Sequence, residues 1–170
     1  FLLENDFIPE ELIIPYETLT TQLLHRVEEM FEQFSFLDLI RLHGDCHMGN
    51  VLWRDQIPHF VDFDDARNGL AIQDLWMLLS GERDMQTLQI RKILEGYSDF
   101  CDFDPIELNL IEPLRTLRIM HHSGWLAKRW TDPAFPRAFP WFNSQRYWSD
   151  HILELREQMA VLYEPALSMY

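Results

Sequence analysis

Arg41-Leu42-His43-Gly44-Asp45-Cys46-His47-Met48-Gly49-Asn50-Val51-Leu52-Trp53-Arg54-Asp55, followed by Phe60-Val61-Asp62-Phe63-Asp64-Asp65, decides how this chain folds. The first string crowds glycine, histidine, aspartate and asparagine together and then passes into a β-branched and aromatic run, Asn50 to Trp53. A second such run, His59 to Phe63, follows Arg54-Asp55-Gln56-Ile57-Pro58, whose composition suits a turn. Two short runs joined in this way predict a β-hairpin. A hairpin brings the loop before its first strand beside the end of its second, so Asp45 and Asn50 are expected to converge with Asp62. Gly44 and Gly49 free the backbone where that loop must bend tightly.

The flanks read as helices. Phe1 to Tyr16, with Pro9 and Pro15, reads as a linker, so the folded lobe is taken as residues 17–170. From Glu17 to Phe34 the residues Leu19, Leu23, Leu24, Val27, Met30, Phe31 and Phe34 recur at helical spacing, with Thr18 or Thr20 as the cap. Asp38 to Leu42 is a short apolar approach to the loop. Asn68-Gly69 marks a turn, and Ala71 to Leu79 reads as a buried helix. Further helices are expected over Asp84–Phe100, from Pro105 to about Trp130 with an interruption or kink at Pro113 unless the helix begins later, and over Asn143–Tyr163. Three prolines make Thr131 to Trp141 a loop. The predicted fold class is α+β and mainly α-helical, with one small hairpin carrying the chemistry.

A hydrophobic fraction of 47% supports a packed core, which rules out disorder as the default reading. The formal charge of −14 argues against general binding to nucleic acid or to an anionic membrane, since both would repel the chain. Cys46 and Cys101 are too few for a disulfide framework. With no signal-peptide pattern and no run long enough to span a bilayer, the expectation is a soluble, cytoplasmic, monomeric protein.

Phosphoryl transfer from Mg-ATP needs a carboxylate to take the proton of the attacking hydroxyl, and oxygen ligands to hold Mg2+ against the phosphates. In protein kinases four residues separate the catalytic-loop Asp from a metal-binding Asn, and the next ligand is the Asp of Asp-Phe-Gly. Asp45 and Asn50 have that separation, and Asp62-Phe63 follows. Asp45 is therefore the candidate base, Asn50 and Asp62 the candidate metal ligands. His43 is read as orienting the loop by hydrogen bonding. His43-x-Asp45-x-His47 also resembles half of a metallohydrolase site, but that reading lacks further ligands and leaves Asn50 and Asp62 idle. Asp64 replaces the Gly of Asp-Phe-Gly and reads as a turn cap with Asp65, or as an aid to the metal. Gly44 replaces the Arg of His-Arg-Asp. Cys46 reads as a filler, and the adjacent His121-His122 point too far apart on a helix to share a metal. Trp125, Trp130, Trp141 and Trp148 read as packing residues.

His-Gly-Asp-x-His-x-x-Asn followed by a strand ending in Asp-Phe resembles the aminoglycoside phosphotransferase and choline kinase group of the protein-kinase-like superfamily. Within it, RLHGDCHMGNVLWRD, FVDFDDARNG and QDLWMLLSG are most similar to a bacterial stress-response Ser/Thr protein kinase. The resemblance implies the C-terminal lobe of a kinase-like fold, ATP as co-substrate, Mg2+, and a Ser/Thr hydroxyl on a protein as acceptor. The alternatives are a small alcohol acceptor (choline-, homoserine- or aminoglycoside-like) or a non-catalytic scaffold. It also implies that Asp74 braces the catalytic loop, with His43 and His47 supporting it. No Gly-rich strand-turn-strand, strand Lys or helical Glu precedes the loop, so the nucleotide lobe is expected to lie outside this chain.

Overall fold

Tyr16, Leu19, Thr20, Leu23 and Val27 recur at intervals of three and four, so a helix carrying them buries a single stripe. The computed structural model, which describes residues 1–168, contains that helix as α1, Glu10–Gln33, with all five residues buried. Helix α1 begins earlier than the linker reading allowed. Pro15 lies within it and forgoes the hydrogen bond to Glu11. The loss is offset because Tyr16 is buried in the core and Leu12 and Ile13 pack against it, while Glu10 and Glu11 complement the helix dipole. Thr20 lies inside the helix, where its hydroxyl donates to Tyr16 O at 2.9 Å rather than capping a start.

The remaining elements, in chain order, are β1 (Ile40–Leu42), β2 (Val51–Arg54), β3 (Ile57–Phe60), β4 (Arg67–Gly69), α2 (Ile72–Leu75), α3 (Arg83–Tyr97), α4 (Ile111–Lys128), α5 (Ala134–Ala138) and α6 (Gln145–Val161). Short 3-10 turns cover Trp76–Leu78 and Pro105–Leu110. The described residues are mainly helical with two small antiparallel sheets. It divides into two units, one from Phe1–Gln33 and Glu112–Glu164, the other from Phe34–Ile111 and the segment from Pro165. No helix among the described residues is long and apolar enough to cross a membrane.

In the first unit α1 packs on α6 around Leu23, Leu126, Leu155 and Trp148, all fully buried. Trp148 meets the Tyr16 ring edge-on at 5.7 Å and the Phe142 ring at the same distance. Ser144 caps α6, its hydroxyl accepting from Tyr147 N. Helix α4 starts at Ile111, the later start that the sequence allowed in place of a kink, so Pro113 falls in its first turn, where a missing N–H breaks no helical bond. The stretch expected to be a loop after Thr131 contains α5. Its prolines help to start it: Pro133 precedes the first turn, Pro136 lies in it, and Asp132 accepts from Ala134 N at 2.9 Å.

The second unit holds the hairpin. Strands β2 and β3 pair from Val51↔Phe60 to Arg54↔Ile57, so the turn shrinks to Asp55-Gln56, both with left-handed backbones (φ 51° and 65°). That is the twist-matched two-residue connection hairpins favour. The Asn68-Gly69 turn is corrected: both residues belong to β4, which pairs with β1 from Ile40↔Gly69 to Leu42↔Arg67. This second ladder, absent from the sequence reading, pins the two ends of the segment from Leu42 to Arg67 together.

Candidate functional site

The loop from His43 to Asn50 runs from β1 into β2, and most of its polar groups are fastened. Asp74, in the short helix α2, accepts from His43 N at 2.7 Å with one oxygen and from Gly44 N at 2.9 Å with the other. Hydrogen bonds to a carboxylate are about twice as strong as neutral ones. Gly44 has a φ of 90°, and a Cβ there would lie 2.2 Å from the Asp65 carbonyl oxygen, so only glycine fits. The Gly44 carbonyl accepts from Arg67 Nη2 at 3.1 Å, with Gln73 Nε2 at 3.5 Å from the same oxygen.

His43 is buried, and both ring nitrogens are engaged. Its Nδ1 accepts from Asp45 N at 3.3 Å, which places the proton on Nε2, and Nε2 donates to Val61 O at 2.8 Å. One neutral tautomer satisfies both bonds. The ring also lies against Phe63, with centroids 4.6 Å apart.

Asp45 is a quarter exposed, and its Oδ2 stands 3.4 Å from His47 Nε2 and 3.5 Å from Asn50 Nδ2. Asn50, itself buried, also donates from that amide to Asp45 O at 3.0 Å, and its backbone N–H donates to His47 O. His47 Nδ1 accepts from Gly49 N at 3.0 Å. Val61 N donates to Asn50 O at 3.1 Å, while Val61 O accepts from His43. Both backbone groups of Val61 are thus tied to the loop, and Asp62 is the next residue. Its backbone is left-handed (φ 66°) and its side chain is exposed. The structure therefore gathers His43, Asp45, His47, Asn50 and Asp74 by direct bonds and joins Asp62 through its neighbour.

Among the described residues no group of three or more His, Cys, Asp or Glu side chains is placed to hold a metal ion. The His43-Asp45-His47 metallohydrolase arrangement is not assembled, because both nitrogens of His43 are committed elsewhere. The Asn50 and Asp62 pair is chemically suited to Mg2+, which binds through one or two protein oxygens with phosphates and water completing its shell. Asn50 spends its amide nitrogen on Asp45, so its side-chain carbonyl oxygen is the atom that could face a cation.

Cys46 is buried beside Asp45, and its thiol is pushed up to about 11, first by burial and then by the charges of Asp74 and Asp45. It stays protonated at neutral pH and is no nucleophile. The sequence reading missed Arg67, Gln73 and Glu107. Glu107, 6% exposed, accepts from Ile72 N at 2.9 Å and so anchors the start of the helix carrying Asp74. Burial holds its carboxyl above the ordinary range. The only signal was an Asp104-x-x-Glu107 capping pattern, which points Glu107 at its own turn rather than at α2. Trp125 packs against Phe135 and Phe139 within the first unit.

Residues 11–109 match the model of the phosphotransferase enzyme family (APH), a span that includes the whole loop, hairpin and α2. The chain is 48% identical over 163 residues to stress response kinase A of Escherichia coli (strain K12), covering 95% of this chain and 48% of that protein. It is 52% identical over 130 residues to the serine/threonine protein kinase RdoA of Salmonella typhimurium, covering 76% and 39%. The chain spans about half the length of the curated relatives it matches.

Proposed function

The chain belongs to the phosphotransferase enzyme family, and from that premise we propose that it supplies the catalytic-loop lobe of a longer ATP- and Mg2+-dependent kinase acting on Ser or Thr hydroxyls of proteins. Asp45 is the base that orients the acceptor hydroxyl and takes its proton. Asn50 and Asp62 are the ligands for magnesium, which when bound neutralises charge on the phosphates of ATP. Asp74, His43 and His47 fix the loop. The observation that carries this reading is the pair of backbone bonds from Val61 to Asn50 and His43, which sets the Asp62 turn against the loop bearing Asp45.

The exposed apolar faces of the hairpin, with Leu52, Trp53, Ile57 and Phe60 all open, support a surface against which a nucleotide and its lobe would rest. The protein acceptor is supported by the Ser/Thr kinase name of a relative that is 52% identical.

The test uses the full natural polypeptide that carries this sequence. Asp45→Asn is expected to keep nucleotide affinity and lose phosphotransfer by roughly 10²–10⁴-fold, the usual worth of a positioned base. Normal turnover in that variant would sink the assignment. Transfer to an alcohol metabolite with none to protein Ser or Thr would move the acceptor to the small-molecule class.

A further inference from the structure

In protein kinases an arginine stands between the His and Asp of the catalytic loop; here that place is Gly44. The backbone explains why no side chain stands there. The Asp65 carbonyl occupies the position of any Cβ, at 2.2 Å, and the next group beyond it is the guanidinium of Arg67, whose Nε lies 3.3 Å from the same point. An arginine is therefore present at this spot, but it arrives from β4. Its position is fixed by the Leu42↔Arg67 register of the β1–β4 ladder, and its Nη2 donates to Gly44 O at 3.1 Å.

We propose that Arg67 is a positioning residue for phosphoryl transfer, locking the far end of the Asp62–Asp65 turn onto the catalytic loop. The proposal rests on the reading of Asp45 as base and Asp62 as metal ligand. The turn is tied at two points. At its start, His43 holds Val61 O; at its end, Arg67 holds Gly44 O. Asp62 lies between the two ties, so its place relative to Asp45 depends on both. Gly44 is gripped on both sides of its peptide, since Asp74 takes its N–H while Arg67 takes its carbonyl. A guanidinium suits this task better than an ammonium, because its rigid planar fork loses less freedom per bond formed. Its positive charge also follows closely, in sequence, on a run of three aspartates, Asp62, Asp64 and Asp65.

The test compares wild type, Arg67→Ala and Arg67→Lys in the full natural polypeptide. Arg67→Ala is expected to lower kcat at least tenfold with KM for ATP changed by less than twofold, and to raise the Mg2+ concentration needed for half-maximal rate. Added guanidinium ion at millimolar concentration should restore part of kcat in Arg67→Ala and none in wild type. Arg67→Lys should fall between the two. Independently of activity, amide hydrogen exchange of residues 43–50 and 61–66 should quicken together in Arg67→Ala. Wild-type kcat with unchanged exchange would overturn the proposal, as would a loss of kcat that guanidinium does not relieve and that leaves exchange unaltered. Asp45→Asn serves as the separate control. If it turns over normally, the base assignment fails, and the exchange comparison still decides whether Arg67 ties the turn to the loop.

Discussion

Single atoms decide the loop's shape at Gly44. Replacing Gly44 with alanine places a Cβ on the Asp65 carbonyl and forces a left-handed backbone on a residue that pays about 1–2 kcal/mol for it. The expected loss is at least about 2 kcal/mol in urea unfolding, with activity falling in step. Glu107 gives a pH-dependent prediction. Its folded pKa is raised, so it binds its proton more tightly folded than unfolded. Its contribution to stability is full below the unfolded value and is lost as pH rises through the folded one. Glu107→Gln removes that dependence while keeping an acceptor for Ile72 N. Its stability relative to wild type should climb as pH rises above the ordinary glutamate range, about pH 4, and a pH-independent difference would contradict the burial argument. Cys46 and Cys101 offer a third measurement. Cys101 is exposed, whereas Cys46 is buried and protonated, so iodoacetamide at neutral pH should label Cys101 at least about tenfold faster. The sequence reading took Asp45, Asn50 and Asp62 from their spacing and His43 from its place in the loop, whereas His47 and Asp74 came as supports only through the family resemblance, Asp74 standing 30 residues from Gly44. Arg67 and Glu107 act 23 and 35 residues away from the groups they hold, and no spacing rule reaches that far.

Among elements, the hairpin was legible because β-branched and aromatic runs flank a polar turn, though its turn proved shorter than composition suggested. Asp55-Gln56 adopts two left-handed residues without a glycine. Gln56→Gly should relieve part of that strain, raising stability by up to about 1 kcal/mol, or about 2–4 °C in Tm, in a thermal melt. A lowered Tm would show that Gln56 makes contacts worth more than its strain. The β1–β4 ladder was not legible. Each strand is only three residues long, and Asn68-Gly69 carries the composition of a turn even though pairing overrides it. The start of α1 was misplaced for a related reason: Pro15 signals a break, yet the burial of Tyr16 and its neighbours outweighs one missing bond. Local propensity lost to packing in both places.

For the molecule as a whole, the sequence conveyed a mainly helical body, because long amphipathic runs carry their own period, but not its division into two units. Pairing α1 with α6 is a long-range choice made by shape. Its centre is Trp148, fully buried among Tyr16, Phe142 and Tyr147. Trp148→Ala should cost about 3–5 kcal/mol, measured by urea unfolding. The first unit is written in two instalments, Phe1–Gln33 and Glu112–Glu164, with the loop and hairpin between them. That interleaving has a consequence at biosynthesis. On the ribosome, helix α1 emerges well before its partner α6 has been translated, so its apolar stripe waits uncovered while the loop, hairpin and α2 can already close on one another. The nascent chain is therefore most vulnerable to aggregation and to chaperone capture in the interval between α1 and α6.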